Sequence, residues 1–362
     1  MTNGLPIAES TEQLTAGWIT EVLRRCDLLD ASTAVIDVAF RPIGTGQMCD
    51  SLRVTLRYDR PTDAPATVIA KIPSADEATR ATARAHRSYE IEVRFYQQLA
   101  SELPMRTPQA FHADIDLDSY AFVLLLEDLA PAQQGDQLAG CTPDTAKVAV
   151  DELVKLHAPR WNDPSLASLE WLVRDRQVGQ QSLVAFLPLL WDSFRDRYAA
   201  DLGPDVHEAG AALFGDLEGY VFADTQPWTI VHGDYRLDNL LFDTSPGGLG
   251  VAVVDWQTCT VGSALQDVGY FIGAGLLPEV RREVETDLVR GYHRALQRSG
   301  VDYSWDVCWH AYRRGTWPGF IMAIAASMLV ERTDRGDQMF LTMASRHARH
   351  VLDLNAADVL RG

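Results

Sequence analysis

Apolar residues near the start of the chain recur at near-helical spacing, which predicts an early helix. Its apolar positions are Leu14, Ile19, Val22 and Leu23. Ser10 or Thr11 can cap the N-terminus, and two arginines at 24–25 suit the other end. We therefore expect a helix that packs one face on the rest of the protein.

The next segment alternates between apolar and polar residues, which is the period of a half-buried strand. Strands are expected over 36–40, 52–58 and 67–72. The pattern over 77–99 predicts a helix, and the continuous apolar run 121–126 predicts a further strand. The expected order is three antiparallel strands, a helix and one more strand.

After Pro131 the pattern changes to long helical stretches, with strand signal only around 229–255. Helices are expected over 144–157, 178–198, 206–222, 279–296 and 305–354. The apolar stretch 317–330 contains a proline and a glycine and is shorter than the roughly 20 residues that a bilayer requires, so it predicts a buried helix.

These patterns predict an α+β chain with two lobes. The first lobe, residues 1–128, combines an antiparallel sheet with a helix, and the second, residues 129–362, is mostly helical. A length of 362 residues suits two units of ordinary size better than one compact core.

Charge and cysteine content narrow the function classes. The net charge is −18, with 50 acidic and 32 basic residues and no long basic run, which argues against nucleic-acid binding. The five cysteines are scattered and lack metal-ligand spacing. The first residues also lack the basic start and apolar core of a secretory signal. We expect a cytoplasmic protein without a membrane partner, and the oligomeric state is not indicated.

The strongest chemical signal is the segment 229–243, TIVHGDYRLDNLLFD. Asp234 and Asn239 have the spacing of the catalytic Asp and the metal-binding Asn in the H-R-D-x-x-x-x-N loop of kinases, with Gly233 in place of the arginine. A hairpin over 240–254 should return Asp255 beside Asn239. Magnesium prefers such oxygen ligands. Asp234 is then placed to orient an alcohol and accept its proton.

The residues His232, Gly233, Asp234, Asn239 and Asp255 resemble the catalytic and metal motifs of the aminoglycoside phosphotransferase and choline kinase family, within the protein-kinase-like superfamily. The resemblance implies a bilobal kinase-like fold, ATP or GTP with Mg²⁺ as cofactors, and a small hydroxylated substrate. The GTGQM-x-D-S and HGDYR-x-DN segments resemble the ecdysteroid-kinase-like branch in particular, which would favour a bulky, partly apolar alcohol. An aminoglycoside, a macrolide or a choline-like alcohol stays open, because specificity depends on the helices after residue 131.

The resemblance also implies a nucleotide apparatus in the first lobe. Lys71 ends the segment Val-Ile-Ala-Lys on the third predicted strand, where the phosphate-binding lysine of kinases belongs. Its partner should be a glutamate on the following helix. Glu92 is favoured because it lies one turn before the aromatic pair Phe95 and Tyr96, and Glu90 remains an alternative.

Two further nucleotide contacts follow from the same resemblance. The turn between the first two strands resembles a glycine-rich phosphate loop with its third glycine changed to a cysteine, and its candidates are Gly44, Gly46, Gln47 and Met48. An ordinary hairpin loop is the alternative. At the lobe boundary, the carbonyl of Glu127 and the N–H of Leu129 are candidates for adenine recognition.

Several charged residues near the motif have other expected roles. Asp267 should brace the catalytic loop, and His157 should be a packed or capping residue at the end of a core helix. Arg236 and Asp238 are left open between phosphate or substrate contact and a solvated role.

The alternative from another class is a pseudokinase, which binds nucleotide and acts through a partner without catalysis. Degeneration usually removes the catalytic Asp, the metal Asp or the lysine, and Asp234, Asp255 and Lys71 are all present. A protein kinase is disfavoured because no Ala-Pro-Glu segment follows Asp255. The sequence therefore favours a small-molecule kinase.

Overall fold

The computed structural model describes residues 4–44, 48–173, 176–223 and 227–361. The chain forms two compact units. Unit 1 comprises residues 1–102, 107–132 and 254–257, and unit 2 comprises the remainder. The units are therefore not continuous in sequence: residues 103–106 belong to unit 2, and the short segment Val254–Gln257 belongs to unit 1.

In its described residues, unit 1 combines an antiparallel five-stranded sheet with three helices. Its elements are α1 (Ala16–Arg25), β1 (Val35–Pro42), β2 (Cys49–Tyr58), β3 (Thr67–Pro73), α2 (Glu77–His86), α3 (Ser88–Gln98), β4 (Ala110–Ile115) and β5 (Phe122–Glu127). The strand order in the sheet is β1-β2-β3-β5-β4. The predicted combination of an antiparallel sheet and a following helix is confirmed.

The alternation of side chains along β3 places its residues on two faces of the sheet. Val68, Ala70 and Ile72 join the core that the apolar face of α1 also buries. Lys71 therefore points to the opposite face, and in the register it lies across from Ser51 on β2 and Leu124 on β5. Lys71 therefore lies on the face of the sheet that is opposite the α1 core.

Two local predictions for unit 1 were wrong, and one strand was missed. The first helix is capped by the Thr15 hydroxyl, which accepts from the Trp18 N–H, and not by Ser10 or Thr11. The helix expected over 77–99 is two helices, because Arg87 adopts a left-handed conformation with φ 58° and ends α2. Strand β4 was not predicted, although Phe111, Ala113 and Ile115 alternate with His112 and Asp114, and the two polar side chains are buried.

Unit 2 is mostly helical, as predicted. Its elements are β6 (Gln133–Gln134), α4 (Pro143–His157), α5 (Arg176–Arg197), α6 (Pro204–Gly215), α7 (Leu217–Phe222), β7 (Trp228–Val231), β8 (Leu240–Asp243), β9 (Gly250–Val253), β10 (Thr260–Ser263), α8 (Leu265–Gly275), α9 (Pro278–Arg298), α10 (Trp305–Arg314), α11 (Trp317–Leu329) and α12 (Asp334–Asp353). Short 3₁₀ turns cover Pro164–Ser168, Leu237–Asn239 and Ala356–Val359.

The main core of unit 2 collects apolar side chains from α5, α6, α7, α8, α11 and α12. The buried helix expected at 317–330 is α11, with Trp317, Phe320 and Ile324 inside the core. Two expected helices proved to be several, since 206–222 divides into α6 and α7, and 305–354 divides into α10, α11 and α12. Helix α8 was not predicted. In the described ranges, no helix is long and apolar enough to cross a membrane.

Candidate active site

The catalytic motif lies in unit 2, directly after β7. β7 pairs with β10 in antiparallel orientation. The last residue of β7, Val231, lies opposite Thr260. Gly233 has φ +81°, and a Cβ at this position would lie 2.8 Å from the carbonyl oxygen of Thr258. Both the backbone angle and the close approach require glycine, which explains why an arginine is absent here.

A buried carboxylate holds the backbone of this loop. Asp267, in the first turn of α8, accepts hydrogen bonds from the N–H groups of His232 at 2.7 Å and Gly233 at 3.0 Å. Its Oδ2 also lies 3.3 Å from Nε2 of His157, whose Nδ1 is 2.7 Å from the Tyr292 hydroxyl. Asp267 thus contacts the backbone that precedes Asp234, and His157 is fully buried.

The carboxylate of Asp234 accepts three side-chain hydrogen bonds. The Tyr270 hydroxyl donates to Oδ1 at 2.6 Å. Nε of Arg236 and Nδ2 of Asn239 donate to Oδ2 at 3.1 and 2.9 Å. The side chain keeps 16% of its surface exposed. A carboxylate with fixed orientation and partial exposure is suited to receive a hydroxyl proton.

Arg236 and Asp238 act within the loop. Arg236 also donates to Asp238 at 2.7 Å, and Asp238 accepts from the backbone N–H of Gln137 at 3.0 Å. Burial would lower the pKa of Arg236, but the neighbouring carboxylates reverse that effect and raise it. The arginine therefore stays charged beside Asp234, and Asp238 is a buried anchor rather than a solvated acid.

The amide of Asn239 is oriented by the same carboxylate. Its Nδ2 donates to the backbone carbonyl and to Oδ2 of Asp234, both at 2.9 Å. Since both amide protons are used, the Asn239 side-chain oxygen is left as an acceptor. The predicted hairpin is present, with Leu240 opposite Val253 across β8 and β9. Asn239 thus presents the type of oxygen that magnesium prefers.

The nucleotide candidates of unit 1 form a buried ionic cluster. Nζ of Lys71 lies 2.7 Å from both carboxylate oxygens of Glu92 and 3.0 Å from Oδ1 of Asp255. Glu90 instead pairs with Arg87 at 2.9 Å. Burial alone would lower the pKa of Lys71, but Asp255 and Glu92 raise it well above its ordinary value. The lysine is therefore a fixed cation.

Aromatic stacking holds the segment that carries Asp255. Trp256 is fully buried and stacks on Phe95 of α3, with ring centroids 3.8 Å apart and planes at 7°. Phe95 lies one helical turn after Glu92, so the same face of α3 contacts both Lys71 and the tryptophan that follows Asp255. Asp255 itself has φ 66°.

The remaining nucleotide candidates are placed only in part. Gly44 follows β1 with φ +74°, and the Met48 carbonyl accepts from the Tyr89 hydroxyl of α3 at 2.6 Å. Gly46 and Gln47 lie outside the described residues. Glu127 ends β5, and Leu129 is buried two residues later. The assignments of these residues to phosphate and adenine stay predictions.

Two features of the site were missed from the sequence. Tyr270 contacts Asp234, and Asp255 contacts Lys71. A signal for the first existed, because Tyr270 lies three residues after Asp267 and shares its helix face. The second depends on the assignment of Val254–Gln257 to unit 1, which no local pattern indicates.

The fold is that of the protein-kinase-like phosphotransferases. Residues 54–303 match the model of the phosphotransferase enzyme family, APH, and the chain belongs to this family. The recognition of the aminoglycoside phosphotransferase and choline kinase group is confirmed, while membership of the ecdysteroid-kinase-like branch stays a prediction. A stretch of 53 residues, 15% of this chain, is 45% identical to acyl-CoA dehydrogenase family member 10 of Mus musculus, of which it covers 5%.

Three solved structures illustrate the shared fold at low sequence identity. The structure of a microcompartment-associated aminopropanol kinase is 15% identical to this chain in sequence, with a TM-score of 0.53. The match covers 91% of this chain and 95% of the kinase. The structure of the ethanolamine kinase of Plasmodium vivax is 11% identical, with a TM-score of 0.52. The match covers 94% of this chain and 90% of the kinase. The GDP and kanamycin complex of an APH(2") enzyme is 12% identical, with a TM-score of 0.51. The match covers 94% of this chain and 99% of the enzyme.

Proposed function

We propose that this protein is an ATP-dependent O-phosphotransferase that phosphorylates a hydroxyl group of a small molecule. The carrying observation is the Asp234 carboxylate, held by Tyr270, Arg236 and Asn239 and still partly exposed. Such a group can orient an alcohol and accept its proton while the phosphoryl group is transferred. Membership of the phosphotransferase enzyme family supports the same reaction class.

Unit 1 is proposed to bind the nucleotide. Lys71, kept charged between Glu92 and Asp255, is the candidate contact for the α- and β-phosphates. GTP stays open beside ATP, because one related enzyme was solved with GDP. The contacts of Lys71 to Glu92 support this role, since a kinase lysine needs a carboxylate partner to hold its position.

Asp255 and Asn239 are the proposed magnesium ligands. Asp255 in unit 1 offers a carboxylate, and Asn239 in unit 2 offers an amide oxygen. In the described part of the chain, no cluster of three or more His, Cys, Asp or Glu side chains has metal-binding geometry. Magnesium usually needs only one or two protein oxygens beside substrate phosphates and water. When bound, it would neutralise charge on the transferring phosphoryl group.

In the proposed reaction, the acceptor oxygen forms a bond to the γ-phosphorus of the nucleotide. The bond from that phosphorus to the bridging oxygen breaks, and its electron pair stays with the departing nucleoside diphosphate. The hydroxyl proton passes to Asp234 and then to solvent. We propose a small hydroxylated acceptor, and the ecdysteroid-kinase-like motifs favour a bulky, partly apolar one over a simple amino alcohol.

The test is a coupled assay of nucleoside diphosphate release with Mg²⁺ and either ATP or GTP. The panel of acceptors contains amino alcohols, aminoglycosides, macrolides and sterol-like alcohols, and product phosphorylation is checked by mass spectrometry. Asp234→Asn should abolish transfer and leave nucleotide binding within about twofold, since the carboxylate acts on the acceptor. Asp302→Asn, a change at an exposed acid of unit 2, is the matched control and should retain activity.

Two outcomes would refute the proposal. Wild-type protein that binds the nucleotide but releases no diphosphate with any acceptor would favour the pseudokinase alternative. Full transfer by Asp234→Asn would remove this residue from the proton-accepting role, since an amide cannot take the proton.

A further inference from the structure

The N-terminal half of α8 presents two side chains to the catalytic loop. Asp267 and Tyr270 are three residues apart and therefore lie on one face of the helix. Asp267 accepts from the backbone N–H groups of His232 and Gly233. Tyr270 donates its hydroxyl to the carboxylate of Asp234 at 2.6 Å. One helical turn thus contacts both the backbone before Asp234 and the side chain of Asp234.

The hydrogen bonds of Asp234 distinguish its two oxygens. A carboxylate has about four lone-pair positions, two on each oxygen. Arg236 and Asn239 occupy both positions on Oδ2, and Tyr270 occupies one on Oδ1. Counting the contacts of the described residues, the remaining position is therefore on Oδ1, beside the Tyr270 hydroxyl.

We propose that Tyr270 is a positioning residue that directs the acceptor hydroxyl to Oδ1 of Asp234. This inference rests on the proposed phosphotransferase function. The acceptor proton moves to Oδ1 as the acceptor oxygen bonds to the γ-phosphorus and the diphosphate leaves, and Tyr270 keeps its own proton throughout. Without the tyrosine hydroxyl, the carboxylate is held on one oxygen only and can rotate away from the acceptor.

The surroundings of Tyr270 support a fixed donor. The side chain is 2% exposed and belongs to the core of unit 2. Its ring packs edge-on against His347 of α12, with centroids 5.4 Å apart. Burial, and then the charge of Asp234, raise the pKa of Tyr270 well above its ordinary value. The hydroxyl therefore remains a proton donor at neutral pH.

The variant Tyr270→Phe tests the inference because it removes one oxygen and keeps the ring. We expect kcat to fall roughly 10-fold or more, as for the loss of one hydrogen bond to a charged group. The KM for MgATP should stay within about twofold, since every hydrogen bond described for Tyr270 is to Asp234. Because a general loss of folded protein would also lower the apparent kcat at constant KM, kcat is calculated per nucleotide-binding site, counted by titration with a non-hydrolysable nucleotide.

Tyr312→Phe is the matched control. Tyr312 is also a fully buried tyrosine of unit 2, and its hydroxyl donates to the carboxylate of Glu285 at 3.2 Å. The control therefore removes the same kind of hydrogen bond at a comparable depth. Both variants should lose similar thermal stability, and Tyr312→Phe should retain wild-type kcat at temperatures below its Tm.

The outcomes separate this inference from the function on which it rests. If wild type and Tyr312→Phe transfer phosphate and Tyr270→Phe does so at an unchanged kcat, the positioning role is refuted and the proposed function stands. If Tyr270→Phe and Tyr312→Phe lose kcat equally, the effect is structural and the role is again refuted. If wild type neither transfers phosphate nor hydrolyses MgATP, both proposals fail.

Discussion

Replacement of Gly233 by alanine tests how the catalytic loop is built. Its φ of +81° lies in the left-handed region, and the new Cβ would lie 2.8 Å from the carbonyl oxygen of Thr258. Real Cβ atoms essentially never approach a backbone oxygen so closely, so that the loop or the carbonyl must move. The Thr258 carbonyl cannot move alone, because the Thr258 hydroxyl donates to the His232 carbonyl at 2.8 Å.

Gly247 provides a matched reference for the backbone angle. It has the same φ of +81° in the turn between β8 and β9, with no atom within 4 Å of its added Cβ. Gly247→Ala should cost about 1 kcal/mol from the left-handed angle, offset by about 0.4–1 kcal/mol from a less flexible unfolded chain. Gly233→Ala adds an overlap, and overpacking typically costs about 1–3 kcal/mol.

Urea unfolding of wild type and both variants in one buffer measures the difference. We expect the free energy of unfolding to be lower for Gly233→Ala than for Gly247→Ala by about 1–3 kcal/mol. The kcat of Gly233→Ala should also fall, since the displaced loop carries Asp234. Equal stability of the two variants would show that the close approach to Thr258 is relieved without cost, and that Gly233 is required only for its backbone angle.

Three further predictions concern buried ionisable side chains. Glu92→Gln should lower the free energy of unfolding by about 3 kcal/mol, because it breaks a buried pair with Lys71, and should raise the KM for MgATP; an unchanged KM would argue against the nucleotide role. Asp267→Asn should lower kcat and stability together, since one of the two acceptor oxygens facing the loop N–H groups becomes an NH₂ donor; wild-type kcat and Tm would argue against its role as a brace. Burial lowers the pKa of His347 well below its usual 6.5. As the pH falls, the unfolded chain therefore takes up a proton at this residue before the folded chain does. Below pH 6.5 the free energy of unfolding should fall by about 1.4 kcal/mol per pH unit. In urea titrations against pH, His347→Asn should have a smaller slope than wild type; an equal slope would assign the proton uptake elsewhere.

The catalytic loop and the lysine strand were predictable because each is a local pattern. The spacing of Asp234 and Asn239 identifies the loop before any fold is known, and the alternation along β3 places Lys71 opposite the α1 core. Both depend on sequence periods that survive without tertiary information.

The features that were missed depend on tertiary contacts or on single backbone angles. Arginine is a good helix former, so nothing in the sequence indicates that Arg87 turns left-handed and divides the expected helix. Helix α8 consists largely of buried residues and lacks the polar face that defines an amphipathic helix. Because α8 was not predicted, the three-residue spacing that places Tyr270 on the same helix face as Asp267 was overlooked.

The two parts of the candidate site are each held by their own unit. All hydrogen bonds described for the Asp234 carboxylate come from residues of unit 2, and Lys71 is held by Glu92 and Asp255 within unit 1. The effects of changes in the two sets on stability are therefore expected to add, because the described contacts share no partner. Gly233 fits this arrangement, since it stands where protein kinases carry an arginine. The loop is fixed by backbone N–H groups that donate to Asp267. The nearby positive charge comes from Arg236, two residues after Asp234.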